Sequence, residues 1–149
     1  MQVSQMLQRR QAQRGFTLIE IIVVVVIIGI LAGVVGPKIF GNVYKAQKTR
    51  IKLDIQNIEA ALKIYRLDNF TYPTNEHGGL KALVEKPADP NLTNYDPEGY
   101  LGELPKDPWN RPYIYVYPGQ RGDFDVYTLG EDGRVGGERS NTDIWNNDI

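Results

Sequence analysis

The strongest pattern along the chain is an apolar run from Phe16 to Gly36, in which Glu20 is the only charged residue. At about 1.5 Å per residue, a helix of this length matches the roughly 30 Å hydrocarbon core of a bilayer. The run therefore predicts a transmembrane helix over residues 16–36. The preceding residues 1–15 form a basic leader with three arginines and no acid.

A second pattern follows directly. Between Val43 and Leu67, apolar residues recur at intervals of three or four with charged residues between them, which is the period of an amphipathic helix. The main apolar positions are Ile51, Ile55, Ile58, Leu62 and Tyr65. We expect residues 37–67 to continue the first helix as one long rod, bent or locally loosened where glycine and proline concentrate. Those residues are Gly33, Gly36, Pro37 and Gly41.

Residues 68–149 have the pattern of a small globular region. A short helix fits Gly79–Lys86, and Trp109 is expected to be buried in a loop. Alternating β-formers at 113–117 and 124–129 flank a Pro-Gly turn, which indicates an antiparallel hairpin. The predicted fold class is α+β, with a long N-terminal α-helix packed on a small C-terminal antiparallel β-sheet.

The formal net charge of −1 hides an asymmetry, because the leader is basic whereas 18 acidic residues outnumber 14 basic ones from Phe16 onward. This distribution disfavours nucleic acid as a partner and favours a membrane orientation. Positive-inside counting places the short N-terminal side in the cytoplasm and the body outside. The competing interpretation is a secretory signal peptide cleaved near Ala32 and Gly33, although the run is longer than such peptides usually carry.

The composition offers no catalytic constellation. The chain has no cysteine, which excludes disulfides, zinc-thiolate sites and a thiol nucleophile, and His77 is its single histidine. Neighbouring acids such as Glu131 and Asp132, or Asp123 and Asp125, are expected to be solvated turn residues. We therefore expect a protein that is not an enzyme.

The stretch RGFTLIEIIVVVVIIGILAGVVGPKI, Arg14 to Ile39, resembles the N-terminal signature of type IV pilins and type II secretion pseudopilins. Glycine, phenylalanine and then an acid at the fifth position after the glycine, in an otherwise apolar helix, make this signature specific. The resemblance implies that a prepilin peptidase cleaves between Gly15 and Phe16. It also implies that Phe16, the new N-terminus, is N-methylated.

The body extends the resemblance to the major pseudopilins of the type II secretion system. The segments that carry it are LDNFTYPTNEHGGLKALV, GYLGELPKDPWNRPYIYVYPG and FDVYTLGEDGRVGGERSNTDIWN. Type IV major pilins usually close their C-terminal region with a disulfide, which this chain cannot form. The resemblance implies a structural subunit that polymerises into the periplasmic pseudopilus and supports export of folded proteins across the outer membrane. A type IV pilin or minor pseudopilin is the alternative within the family, and a membrane-tethered calcium-binding module or enzyme is the alternative of another class.

The same resemblance implies partners and a location. The partners are further copies of the chain in a homopolymer filament, other pseudopilins, the prepilin peptidase and the inner-membrane assembly platform. The location is the bacterial inner membrane, with a single pass, a cytoplasmic N-terminus and a periplasmic region over residues 68–149. After assembly the chain belongs to the periplasmic pseudopilus.

Glu20 is the candidate assembly residue. A carboxylate inside a bilayer costs roughly 2.5–3.5 kcal/mol on insertion scales, so an unpaired one would be a liability. Cleavage after Gly15 would create an α-amino cation on Phe16, which Glu20 can meet within its own helix or on a neighbouring subunit. The alternative is a carboxylate that snorkels to the headgroup region.

The segment LGEDGRVGGERSNTDIWNN is the candidate metal loop. Short oxygen-bearing side chains on a glycine-rich loop suit a hard cation such as Ca²⁺, but the spacing is not that of an EF-hand, and an ordinary acidic turn also fits the composition. The family resemblance implies one bound calcium ion (Ca2+) here. The implied ligands are the carbonyl of Leu129, then Asp132, Ser140, Asn141 and Asp143, with a carbonyl near Arg134 or Val135.

Overall fold

The structure is a computed structural model that describes the backbone of residues 15–149 and the side chains of residues 15–33 and 41–149. Apart from Gly15, the predicted leader therefore lies outside the described residues. Contacts between residues divide the chain into two units, Met1–Phe40 and Gly41–Ile149.

One helix, α1 (Leu18–Asn69), contributes to both units. Its backbone is helical through Pro37, in the segment where the sequence predicted a bend or local loosening. In the first unit, the large apolar side chains from Leu18 to Leu31 are all exposed. Among the residues that the structure describes, no helix is both long enough and apolar enough to cross a membrane. The predicted span 16–36 lies partly outside them, because the side chains of 34–40 are not described.

The second unit builds its core on one face of α1. The predicted apolar stripe is at most 2% exposed, since residues spaced by three and four share a helix face. Its members are Ile51, Ile55, Ile58, Leu62 and Tyr65. They share a core with residues of the loops and the sheet, including Leu83, Tyr113, Phe124, Val126 and Ile144. Each large apolar side chain contributes about 1.5–3 kcal/mol when buried, so this stripe holds the body on the helix.

Three short strands form the sheet: β1 (Ile114–Val116), β2 (Asp125–Thr128) and β3 (Ile144–Trp145). Their order is β1-β2-β3 and both pairings are antiparallel, with Tyr115 opposite Val126 and Thr128 opposite Ile144. The first two strands are the predicted hairpin. The two residues of β3 are too few to show an alternating pattern in the sequence. The predicted α+β fold, a long helix packed on a small antiparallel sheet, is confirmed.

Short 3-10 helices complete the described body: Asn75–His77, Gly79–Leu83, Arg139–Asn141 and Asn146–Asp148. The short helix predicted over Gly79–Lys86 is the second of these, and Leu80 and Leu83 are buried in the core. The hydroxyl of Thr74 caps the first by accepting the N–H of His77 at 3.3 Å. The single histidine therefore belongs to a capped turn.

Asp107 holds the loop before β1. Its buried carboxylate accepts the backbone N–H groups of Trp109 at 3.0 Å and of Arg111 at 2.8 Å through Oδ1. Its Oδ2 accepts the hydroxyl of Thr128 at 2.8 Å and lies 3.4 Å from Nε of Arg111. Trp109, which the sequence predicted to be buried here, is only partly buried and packs against the core. The loop is therefore fixed by a carboxylate more than by the tryptophan.

A second buried acid fixes the turn between β1 and β2. Asp125 is fully buried and accepts the N–H groups of Gln120 at 2.6 Å and Arg121 at 3.2 Å. Asp123, in contrast, is exposed and pairs with Arg66 at 3.0 Å. The expectation that both acids are solvated is wrong for Asp125, because the N–H groups of this turn need a buried acceptor.

Candidate functional site

The predicted processing site lies at the start of the described chain. Gly15, Phe16 and Thr17 precede α1 and are not helical, and Phe16 is 82% exposed. Peptidases act on accessible, non-helical segments. Both residues of the predicted cleavage bond, Gly15 and Phe16, are therefore exposed and non-helical in the described chain.

Glu20 forms a capping box with Thr17 at the start of α1. The hydroxyl of Thr17 accepts the N–H of Glu20 at 3.3 Å, and Oε2 of Glu20 accepts the N–H of Thr17 at 3.0 Å. The Thr17 hydroxyl also contacts the same carboxylate oxygen at 3.1 Å. This arrangement satisfies N–H groups at a helix start that otherwise lack partners. In the sequence, the spacing Thr-Leu-Ile-Glu before an apolar run is the pattern that indicates a capping box. The charge of Glu20 alone does not indicate one.

The capping box also places the Glu20 carboxylate close to the position at which cleavage would create an amine. Oε2 of Glu20 contacts the N–H of Thr17, the residue directly after Phe16. The helix dipole favours an acid at this end of α1 as well. Cleavage would therefore create an α-amino group on Phe16, the residue next to Thr17, and the N–H of Thr17 already holds the Glu20 carboxylate in place.

The loop between β2 and β3 contains the residues predicted to bind calcium. Oδ1 of Asp132 accepts the N–H of Arg134 at 3.1 Å, and Oδ2 of Asp143 accepts the N–H of Gly136 at 2.9 Å. The second oxygen of Asp143, Oδ1, is buried and has no hydrogen-bond partner among the described residues. A buried polar atom without a partner costs roughly 1–3 kcal/mol or more. A cation at Oδ1 would remove that cost.

The backbone of this loop is packed closely around Asn141. A Cβ at Gly130 or Gly137 would collide with the main chain of Asn141, and both glycines have positive φ. The carbonyl of Ser140 accepts the N–H of Glu131 at 2.7 Å. Ser140 and Asn141 are therefore brought back against the turn that begins at Gly130.

Leu129 and Asp132 line one cavity of about 220 Å³, and Arg111 lines it with them. The guanidinium of Arg111 donates to the carbonyl of Gly130 and pairs with Asp107. Arg111 thereby connects the loop before β1 to the candidate metal loop. The sequence contained no signal for this contact, because 19 residues separate Arg111 from Gly130 and no periodic pattern relates them.

The residue types of the candidate metal loop are ones that calcium accepts as ligands. Among the described residues, no group of three or more His, Cys, Asp and Glu side chains is placed to hold a metal ion. The loop contains two carboxylates, Asp132 and Asp143, together with hydroxyl, amide and backbone carbonyl oxygens. Of the predicted ligands, Leu129 and Asp132 line one cavity, which Asp143 does not line. Calcium takes about six to eight oxygen ligands and accepts backbone carbonyls among them. The residues therefore fit this ion if the backbone supplies several of the ligands.

Comparisons with known proteins bear on both ends of the chain. Residues 38–147 match the family described as type II secretion system (T2SS), protein G. Residues 10–36 match the prokaryotic N-terminal methylation motif, and this match includes Gly15, Phe16 and Glu20.

Similar proteins cover nearly the whole chain. It is 52% identical over 141 residues to the type II secretion system core protein G of Pseudomonas aeruginosa, covering 94% of this chain and 98% of that protein. It is 49% identical over 140 residues to the protein of the same name from Vibrio cholerae, with 94% and 95% covered. A crystal structure of the major pseudopilin from the type 2 secretion system of enterohaemorrhagic Escherichia coli matches with a TM-score of 0.62 and 42% identity, covering 72% of this chain and 91% of that chain. The chain therefore belongs to the type II secretion system protein G family, the major pseudopilins that are structural subunits of the pseudopilus.

Proposed function

We propose that the chain is cleaved between Gly15 and Phe16, N-methylated on Phe16 and polymerised through its N-terminal helices into the periplasmic pseudopilus. In this form it supports export of folded proteins across the outer membrane. The observation that carries the proposal is the exposed apolar surface of α1 from Leu18 to Leu31. Such a surface needs lipid or another apolar surface to cover it, and lateral packing of identical helices supplies the second.

The proposed subunit is anchored in the bacterial inner membrane before assembly. Its N-terminus lies in the cytoplasm and residues 68–149 lie in the periplasm, an orientation that the three leader arginines support. The prepilin peptidase, other pseudopilins and the inner-membrane assembly platform are the proposed partners. The names of the matched relatives favour the major pseudopilin over a minor pseudopilin or a type IV pilin.

Glu20 is proposed to set the register between subunits by pairing with the Phe16 amine of a neighbour. The capping box supports this role because it holds the carboxylate at the end of the helix where that amine arises. A subunit at the wrong height would leave a charge unpaired among apolar helices, which is costly. Glu20→Ala is expected to retain membrane insertion and leader cleavage and to lose filament assembly. Polymerisation of this variant at the wild-type level would rule out the pairing, and a snorkelling carboxylate would then be favoured.

One calcium ion is proposed to bind the loop between β2 and β3 as a structural ion. The proposed ligands are Leu129, Asp132, Ser140, Asn141 and Asp143. The buried Oδ1 of Asp143, which lacks a hydrogen-bond partner within the described chain, is the supporting observation. A body without disulfides gains stability from an ion that binds only its folded form.

An enzymatic function finds no support among the described residues. The groups whose pKa is most strongly raised are three tyrosines that lie in the core or pack against it, and burial is the main cause in each. They are Tyr65, Tyr113 and Tyr115. Packing against the core is enough to raise the pKa of these tyrosines. The raised values do not indicate a nucleophile placed beside a general base. A structural role remains the function that the site geometry supports best.

Mass analysis of the N-terminus of the membrane-extracted protein tests the proposed processing. A chain that begins with N-methylated Phe16 is the expected result. A chain that begins near Gly33 would instead support the secretory signal peptide interpretation. The mature chain would then lack the proposed filament core. An unprocessed chain would contradict cleavage while leaving the fold of residues 41–149 unaffected.

A further inference from the structure

Phe70 follows α1 in a backbone conformation that is unusual for an aromatic residue. Its N–H donates to the carbonyl of Arg66 at 2.8 Å, and its φ of 63° lies in the left-handed region. Glycine is the usual residue at such a position, because a Cβ is strained there. The side chain of Phe70 is 84% exposed, so burial in its own body does not offset the strain. A strained and exposed aromatic side chain indicates a contact outside the chain.

The Phe70 ring forms one wall of an open cavity of about 560 Å³. The cavity is lined by Lys63, Arg66, Leu67, Phe70 and Tyr72, which together are named the Phe70 socket. Leu67 is 74% exposed, so the socket is apolar as well as open. Arg66 already pairs with Asp123 at 3.0 Å, whereas the side chain of Lys63 is 63% exposed. The socket therefore suits an apolar side chain that is flanked by a carboxylate.

The same chain carries a segment of that description. Val135 is 85% exposed and, among the described residues after Phe70, is the only large apolar side chain that is exposed. It lies between Gly133 and Gly136, both of which have positive φ. The segment 131–138 also contains three exposed acids, Glu131, Asp132 and Glu138, and one arginine, Arg134. Residues 131–138 are named the Val135 knob.

We infer that the Val135 knob of one copy docks into the Phe70 socket of a neighbouring copy. Val135 would pack against the side chains of Phe70 and Leu67. The two knob acids that are not proposed calcium ligands, Glu131 and Glu138, would lie near Lys63. Knob and socket are different surfaces of one chain, so the contact is heterologous and repeats from copy to copy. When the rotation between copies does not close a ring, such a contact builds an open helical filament, the form that the proposed function requires. The inference rests on the proposed function and adds a contact between bodies to the contact between N-terminal helices.

The charge distribution favours a second copy of this chain as the occupant of the socket. Residues 41–69 carry six basic and three acidic residues, whereas residues 70–149 carry seven basic and 14 acidic residues. The helical part of one copy therefore attracts the body of another. Within the described chain, Lys63 pairs with Glu59 only at 4.0 Å and is 63% exposed, so its charge is accessible to a neighbour.

The lack of cysteine makes a direct cross-linking test possible. Thr71→Cys and Arg134→Cys are introduced together into the full chain, because each residue is exposed and lies directly next to a contact residue, Phe70 or Val135, that stays in place. Filaments assembled with the other secretion components are treated with a short bismaleimide. We expect a ladder of covalent oligomers from the double variant and monomers from each single variant. The matched control combines Thr71→Cys with Lys86→Cys, because Lys86 is exposed and lies in neither knob nor socket.

Four results would overturn the inference. Dimers from either single variant would indicate a symmetric contact, and a ladder of equal strength from the control would indicate random collision. A double variant that sediments as polymer without forming a ladder would refute the contact while the proposed function stands. If the wild-type chain itself fails to sediment as polymer, the proposed function fails together with the inference.

A further variant separates docking from folding. Phe70→Gly removes both the ring and the left-handed strain, so we expect an unchanged or raised melting temperature and a roughly tenfold loss of polymer. Asn110→Gly is the matched control, since Asn110 is exposed and has a φ of 66°. This control is expected to leave the polymer yield unchanged. Wild-type polymer from Phe70→Gly, or a loss of polymer that accompanies a lower melting temperature, would contradict the docking role.

Discussion

The buried carboxylate of Asp107 accepts the hydroxyl of Thr128 at 2.8 Å and thereby joins the loop before β1 to the last residue of β2. Asp107 also pairs with Arg111, whose guanidinium donates to the carbonyl of Gly130 at the start of the candidate metal loop. A carboxylate, a hydroxyl and a guanidinium therefore connect two loops that are far apart in the sequence. This connection ties the start of the candidate metal loop to the loop before β1.

Asp107→Ala is expected to lower the free energy of unfolding by about 3 kcal/mol, because it removes a buried acceptor and leaves several donors without partners. Chemical denaturation monitored by circular dichroism measures the loss. Asp123→Ala is the matched control: Asp123 is an exposed acid paired with Arg66, so the loss there should stay within about 1 kcal/mol. Equal losses in the two variants would mean that the Asp107 network does not stabilise the loop.

The sequence predicted the parts of the fold that follow a periodic pattern of residues. It did not predict the parts that depend on single long-range contacts. Burial of the apolar stripe that includes Ile51 and Ile58 could be predicted, because its spacing of three and four residues places the stripe on one helix face. The roles of Asp107 and Asp125 could not be predicted, because the neighbouring residues in the sequence do not distinguish a buried acid that holds a turn from a solvated acid. In the candidate metal loop the residue types also fitted an ordinary acidic turn, and the family resemblance implied the cation. The buried oxygen of Asp143 emerged only from the packing of the loop.

Alkaline pH is expected to unfold the body through its buried tyrosines. Burial raises the pKa of Tyr65 to about 12, and repulsion of the tyrosinate by Tyr100, Tyr95 and Asp89 adds to the shift. The unfolded chain ionises near pH 10, so stability is complete below about pH 10 and falls as the pH rises through 12. Tyrosinate absorbance and circular dichroism should change together in that interval.

Tyr65→Phe tests the contribution of this residue to the alkaline transition. The variant keeps the ring and removes the ionisable hydroxyl, so its unfolding midpoint should move to higher pH while its stability at neutral pH stays close to that of the wild type. Tyr127, which stacks on Trp145 outside the core, serves as the comparison through Tyr127→Phe. The same midpoint in the wild type and the Tyr65 variant would show that Tyr65 does not control the transition.

Calcium removal is expected to lower the melting temperature of the detergent-solubilised chain. At a calcium concentration 100 times the Kd, binding stabilises the folded state by about 2.7 kcal/mol. Asp143→Asn should reduce the calcium-dependent shift, because it removes a charge from the proposed site. Asp148→Asn changes the charge equally at an exposed acid that pairs with Arg121, so it should retain the full shift. Identical melting curves with chelator and with added calcium would rule out the proposed calcium site.

Glu20→Gln separates the two roles of the acid at the start of α1. A glutamine side chain retains the capping box, because its amide oxygen can still accept the N–H of Thr17, but it carries no charge. If pairing with the Phe16 amine of a neighbour sets the register, this variant is inserted and cleaved normally and forms little polymer. Thr17→Val makes the reverse change, since it removes the capping hydroxyl at a cost of about 1 kcal/mol and keeps the carboxylate.

Thr17→Val should therefore reduce the polymer yield only modestly. Leader cleavage by mass analysis and polymer yield by sedimentation, measured on the same membranes, compare the two variants. Abundant polymer from Glu20→Gln together with a severe loss from Thr17→Val would assign Glu20 to helix capping alone. The opposite result would mean that the charge of Glu20, and not only its place in the capping box, is what aligns one subunit with the next.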